Sequence, residues 1–365
     1  MKSKNLVFLA CLAVILGMFC ACEGLLNKDA EKALDLSDIE PVNIPDPVIV
    51  QGNTLAEKLA WVNNNMVDNG TYILEVNSDE SLAQQKLFFS GKRNYTIRLI
   101  GIGGIRTISL SGTGPLFTID SFYGNTLVLD ENIVLKGTAN NNGAPLVRIE
   151  SNASTLIMNN GSKITGNTSG LTGGVLINHG AFIMNGGEIS GNTSTGYTGG
   201  VLVSGTFTMN GGTISGNNVL SQYNSEGGGG VFLYGGTFTM NGGTISGNTS
   251  TGYAGGVYVG ATSDGTAFNM TGGTISGNTA SSYGGGVFLL GGTFNKTGGV
   301  ITGYSSDNVN GNVVKNSSGT VQSDKGHAVY YSLSKYRNTT AGQTDNIDTA
   351  TGRGLSANGN APFEQ

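Results

Sequence analysis

From about residue 70 the chain alternates apolar and polar positions in short runs. Examples are Tyr72-Ile-Leu74-Glu-Val76, Tyr95-Thr-Ile97-Arg-Leu99 and Thr206-Phe207-Thr208-Met209. This is the two-residue period of strands that bury one face. The runs recur with a longer period. Met209-Asn-Gly-Gly-Thr-Ile-Ser-Gly-Asn217 returns unchanged at Met240 to Asn248 and with one change at Met270 to Asn278. Aligned on its first residue, the motif starts at Met158, Met184, Met209, Met240, Met270 and Lys296, in steps of 26, 25, 31, 30 and 26 residues. Steps of this size mark a repeat architecture and are too short for four-stranded propeller blades.

Each repeat predicts three short strands. One holds the Phe and Met, one is centred on the motif's Ile (Ile189, Ile214, Ile245, Ile275, Ile301), and one is a Val-led triplet such as Val201-Leu-Val203, Val231-Phe-Leu233 or Val257-Tyr-Val259. Gly-Gly pairs separate them, where corners need positive φ or close backbone approach. The expected fold is all-β, a right-handed parallel β-helix of about eight to nine three-strand coils with an N-terminal capping helix. Phe182, Phe207, Phe238, Phe268 and Phe294 should stack in one interior column, with Met and Ile in others. Asn167, Asn192, Asn217, Asn248 and Asn278 fall at one corner and should bond along the stack as an internal amide ladder.

One stretch breaks the strand period. Leu55, Leu59, Val62 and Met66 share a helical face, and Thr54 with Glu57 has capping-box spacing. The predicted helix, within residues 53–69, covers the open first coil, whose bare edge would otherwise invite association. Coils are expected over residues 70–302. Residues 303–365 lose the period and read as a closing coil, strand-like at Ala328-Val-Tyr-Tyr331, with a C-terminal cap and tail.

The N-terminus changes the picture of where this domain works. Lys2 and Lys4 precede an apolar run, Leu6 to Phe19, which is too short to span a bilayer, and residues 1–21 read as a signal peptide. Cys11, Cys20 and Cys22 are the chain's only cysteines, so the exported body holds no internal disulfide. Phe19-Cys20-Ala21-Cys22 resembles a bacterial lipobox with Phe where Leu is usual. The resemblance implies acylation of Cys22, an anchor in the membrane through the N-terminal lipid, and location in the cell envelope, the alternatives being ordinary cleavage with release and an uncleaved anchor. Residues 22–52, punctuated by Pro41, Pro45 and Pro47, read as a tether.

Composition and charge narrow the function. The 365 residues include 61 glycines and only 12% charged residues, and the net charge is −5. With no basic patch, nucleic acid is not an expected partner. No metal-ligand spacing, calcium-loop pattern or cofactor motif is present, so neither metal nor cofactor is expected. Gly101-Ile-Gly103-Gly104 lacks the third glycine and helix of a phosphate loop. The histidines, His179 and His327, have no relay partner nearby in sequence. Acidic residues through and just beyond the repeats, Glu150, Glu188, Glu226, Asp264 and Asp307, fall at differing offsets and read as solvated surface.

The run Phe-Thr-Met-Asn-Gly-Gly-Thr-Ile-Ser-Gly-Asn, followed by Gly-Gly-Val-Tyr-Val, resembles the bacterial β-helix repeat lipoproteins common in spirochaetes and some gut bacteria. That resemblance implies the pectate-lyase-like superfold and a surface location more than a chemistry. A polysaccharide lyase or hydrolase is the enzymatic alternative it brings, and a structural envelope protein a third. The expectation is a non-enzymatic surface display or adhesion module whose partners are glycans or host or envelope proteins. Its candidate ligand stripe is Tyr197, Tyr253 and Tyr283, each four residues before the Val of the next strand, with Tyr223 displaced by a longer loop; the alternative, and the better account of the residues alone, is that each tyrosine packs against its own loop glycines and covers a corner. Broken Thr-x-Thr arrays at Thr206/Thr208 and Thr237/Thr239 are better explained by strand propensity.

Overall fold

The computed structural model describes residues 44–87, 91–220, 227–260, 265–304, 308–322, 325–331, 336–340 and 343–346. The expected signal peptide, Cys22, most of the tether, Tyr223, Glu226, Asp264, Asp307 and the last residues lie outside them.

The chain forms a right-handed parallel β-helix of about nine turns. Successive strands of one sheet come from successive coils, and the ladders are parallel from Val48 to Tyr331. Sheet 1 carries the Phe and Met strands, such as Thr206–Met209, paired residue for residue with Ala181–Met184 and Thr237–Met240. Sheet 2 carries the Ile triplets, such as Thr213–Ser215. A further sheet, here sheet 3, consists of two-residue strands such as Thr193–Ser194, and sheet 4 carries the Val triplets. Sheet 3 was not expected. Its strands follow the ladder asparagines and are too short to show a period.

The like-on-like columns are as expected. Phe182, Phe207, Phe238, Phe268 and Phe294 stack face to face with centroids 4.7, 4.7, 4.8 and 4.9 Å apart, all within 1% of complete burial. The second motif glycine protects the neighbouring Met column. Gly243 has φ +82°, and a Cβ there would lie 2.6 Å from Met209 Cε. Lys296, which replaces Met at the end of that column, is buried as well.

Inside the corner between sheets 2 and 3, Asn192, Asn217, Asn248 and Asn278 each donate through Nδ2 to the next Asn Oδ1 at 2.8–3.1 Å, the last to Asn312. The column also takes in Asn141, which donates to Asn167 Oδ1 at 2.9 Å. A second amide ladder runs outside, after sheet 1. Asn185, Asn210 and Asn241 each donate toward the preceding coil at 2.9–3.1 Å, and Asn159 donates to Asp130 at 2.7 Å. Asp130 is in turn held by Arg98 through two bonds of 2.8 and 2.9 Å. The two ladders run with opposite polarity.

The cap helix spans Leu55–Asn65, with both capping-box bonds between Thr54 and Glu57 made. It buries Leu55, Leu59 and Val62, and Lys58 is drawn in too, its ammonium donating to the Glu75 carbonyl. Ahead of the helix, Val48–Ile49 adds a strand to sheet 1. At the other end Val313–Val314 joins sheet 3 and Val329–Tyr331 joins sheet 4, so the stack continues one coil past Lys296.

Candidate functional site

The outer face of sheet 4 changes character along its length. One side chain per coil points outward from the middle of each triplet, and in register these are Lys86, Thr118, Arg148, Leu176, Leu202, Phe232, Tyr258, Phe288 and Tyr330. The first three are polar or charged and the rest apolar or aromatic. The switch falls between Arg148 and Leu176.

The apolar half explains the tyrosines. Leu176, Leu202, Phe232, Tyr258 and Phe288 are nearly buried although they point away from the helix interior, because Tyr197, Tyr253 and Tyr283 fold over them. Tyr253 stacks on Phe288 with centroids 4.4 Å apart at 8°, and Tyr283 packs against Tyr330 at 4.5 Å. Tyr197 lies 5.8 Å from Phe232. The stripe is continuous between Tyr253 and Tyr283, whose rings are 5.9 Å apart. These half-buried rings are the lid of a second apolar cluster, with one ring face used inward.

The polar half forms an open groove of about 810 Å³. Asp120 and Glu150 stand one residue beyond the paired Ile119 and Ile149, so they occupy the same corner on neighbouring coils. Each carboxylate meets a cation from the outward row. Lys86 Nζ lies 2.9 Å from Asp120, and Arg148 Nη1 lies 3.3 Å from Glu150. The Ser151 hydroxyl also donates to Asp120, and Asn178 Nδ2 to Glu150 at 2.7 Å. Burial by itself would raise the Asp120 carboxyl, but the Ser151 hydroxyl and the Lys86 ammonium outweigh it and hold the group below the ordinary Asp value. Arg148 Nε is buried and makes no hydrogen bond. His179 lines the far end of the groove, and Phe122, 79% exposed, stands at its rim. A smaller hollow of about 280 Å³ between the cap helix and Gln85–Leu87 meets this groove at Lys86.

Of the residues singled out from sequence, Glu150 and His179 come together here, the former as part of the groove rather than as isolated surface. His327 does not join them. It is buried at the far end, where its Nδ1 accepts from Val314 N–H at 3.0 Å. Lys86, Asp120, Phe122 and Arg148 were not anticipated. A signal for them was present: Ile119-Asp120-Ser121 and Ile149-Glu150-Ser151 are the same pattern 30 residues apart.

Chemically the groove offers paired carboxylates, a guanidinium, an ammonium, amides and an imidazole beside a bare aromatic ring. Such a set can hydrogen-bond a polyhydroxylated ligand while the ring packs on an apolar face. Among the described residues no group of three or more His, Cys, Asp or Glu side chains is placed to hold a metal ion. No family model, curated protein or solved structure matches the chain.

Proposed function

We propose that this protein is an exported, lipid-anchored binding module of the cell envelope, and that its ligand is a carbohydrate chain lying along the outer face of sheet 4. The observation that carries the reading is Phe122, a fully presented ring at the rim of a groove whose other walls are hydrogen-bonding side chains. With Tyr123 beside it also exposed, the ring offers an apolar face on which a sugar ring can stack. Sugar recognition pairs such a platform with planar polar groups, as Asp120, Glu150 and Arg148 supply. The coils advance by under 5 Å, as the Phe column records. The hollow beside the cap helix and the groove thus give a track several coils long, suited to a chain of sugars rather than one. The anchor rests on the signal-like segment and Cys22.

A second reading has one observation in its favour: two carboxylates on neighbouring coils, with Lys86, Arg148 and His179 around them, resemble the setting of a glycan-cleaving centre. Against it, both carboxylates are already engaged by the groove's own groups, Asp120 by Lys86 and Ser151 and Glu150 by Arg148 and Asn178. Binding is the better account.

The test is a glycan array probed with the detergent-solubilised full chain. We expect a set of related glycans to bind, and Phe122→Ala or Arg148→Ala to lower affinity at least tenfold without changing the circular dichroism spectrum. Binding that ignores both substitutions overturns the groove. Release of shortened or unsaturated sugars would establish the enzymatic reading instead.

A further inference from the structure

We propose that the N-terminal end of the β-helix seats directly on a lipid bilayer, with Trp61 in the interfacial layer. Large apolar side chains left exposed are concentrated toward this end: among the described residues after Ile44, eight of eleven lie before residue 124. Three of them, Val48, Trp61 and Val67, border one buried ring, Tyr72, and Ile49 lies beside them on the outer side of the same strand. Val48 pairs with Tyr72 and Ile49 with Ile73 in the first ladder of sheet 1, and both side chains face solvent. The Trp61 ring meets Tyr72 edge-on at 6.4 Å. Val67 donates its backbone N–H to the Tyr72 hydroxyl at 2.6 Å, with its side chain 47% exposed.

The surface they form carries little charge. On the solvent side of the helix the exposed residues are Ala56, Ala60, Trp61 and the three asparagines 63–65, and the single charged one, Glu57, spends its carboxylate on the Asn53 and Thr54 N–H groups. The rim carries both signs: Lys92 and Arg93, whose backbone N–H donates to the exposed Asp68 carboxylate, and Asp46 ahead of Val48. An apolar and amide centre holding a tryptophan matches the interfacial layer, where indole prefers the boundary, and Lys92 and Arg93 at its rim are placed to meet phosphate.

Chain geometry selects the same occupant. This inference rests on the anchor proposed above. The described chain starts at residue 44, 22 residues after Cys22, and that length of chain reaches at most about 75 Å. An acylated Cys22 therefore holds the bilayer at high effective concentration beside this end of the β-helix, so a patch too small to bind membranes alone stays engaged.

Trp61 is the only tryptophan in the chain, which makes the test direct. The full chain is reconstituted into vesicles of phosphatidylethanolamine and phosphatidylglycerol containing phosphatidylcholine brominated high in its acyl chains. Trp61 emission is expected to shift to the blue and fall at least twofold relative to unbrominated vesicles, and to resist aqueous acrylamide. Ile49→Ser with Val67→Ser, both surface substitutions, should restore most of the emission. Flotation with the vesicles while Trp61 stays open to acrylamide overturns the seat alone. Trp61 shielded from acrylamide yet untouched by bromolipid assigns the patch to another part of the chain or to a protein, and also overturns it. Failure to float overturns the anchor, and the seat with it.

Discussion

Asparagine does two different jobs in this molecule, and burial separates them. Asn248 is fully buried: its amide donates to Asn278 and to the Ile214 carbonyl, and its oxygen accepts from both the backbone and the side chain of Asn217. Replacing it with alanine strands several buried groups, each costing about 1–3 kcal/mol. Asn210 makes a similar-looking bond to Asn185, but in the open. Water replaces that partner, so its loss is worth under about 1 kcal/mol. Urea unfolding should therefore show Asn248→Ala destabilised by about 3 kcal/mol or more and Asn210→Ala nearly unchanged. Equal losses would mean that the outer ladder is structural too. The inner ladder was legible because its asparagines end an identical motif in coil after coil. The outer one was hidden because Asn followed by Gly reads simply as a turn.

At the level of the element, the repeat sets the register and the register sets the columns. A parallel stack with one residue type per position returns the same side chain at the same place on every coil, and so the Phe, Met and Ile columns could be read directly from the chain. What could not be read was the outward face of sheet 4. Its triplets, Val-Leu-Val or Val-Phe-Leu, are apolar throughout, and that pattern does not say which residue points out. The structure shows the middle residue outside and Tyr197, Tyr253 and Tyr283 closing over it. Interior and exterior clusters should then differ in stability. Phe238→Ala opens a cavity in a dry column and should cost about 3–5 kcal/mol, whereas Tyr253→Ala, half-buried, should cost about 1–2 kcal/mol. Thermal unfolding of the two variants checks this, and a Tyr253 variant as damaged as the Phe238 one would make the outer cluster part of the folding core. The groove escaped prediction for a related reason. Its coils precede the conspicuous motif, so the one landmark they share is the short Ile-acid-Ser pattern at Ile119 and Ile149, and Lys86 stands outside even that.

The whole molecule is asymmetric along its axis. The later coils, with near-identical repeats, have an outer sheet-4 face sealed by its own tyrosines. The earlier coils, irregular in sequence, carry the charged groove, the bare Phe122 ring and the weakly charged cap around Trp61. Regularity and the proposed binding surfaces are thus divided between the two halves. The regular half extends and stabilises the β-helix, and the irregular half holds the surfaces proposed to meet a glycan and a membrane. The most direct test of this division is hydrogen exchange of the full chain with and without a glycan selected on the array. The groove account predicts slowed exchange at residues 117–123, 147–153 and 177–180, with the corners of Tyr197, Tyr253 and Tyr283 unaffected. Protection centred on those tyrosine corners would contradict it and restore the stripe as the binding surface.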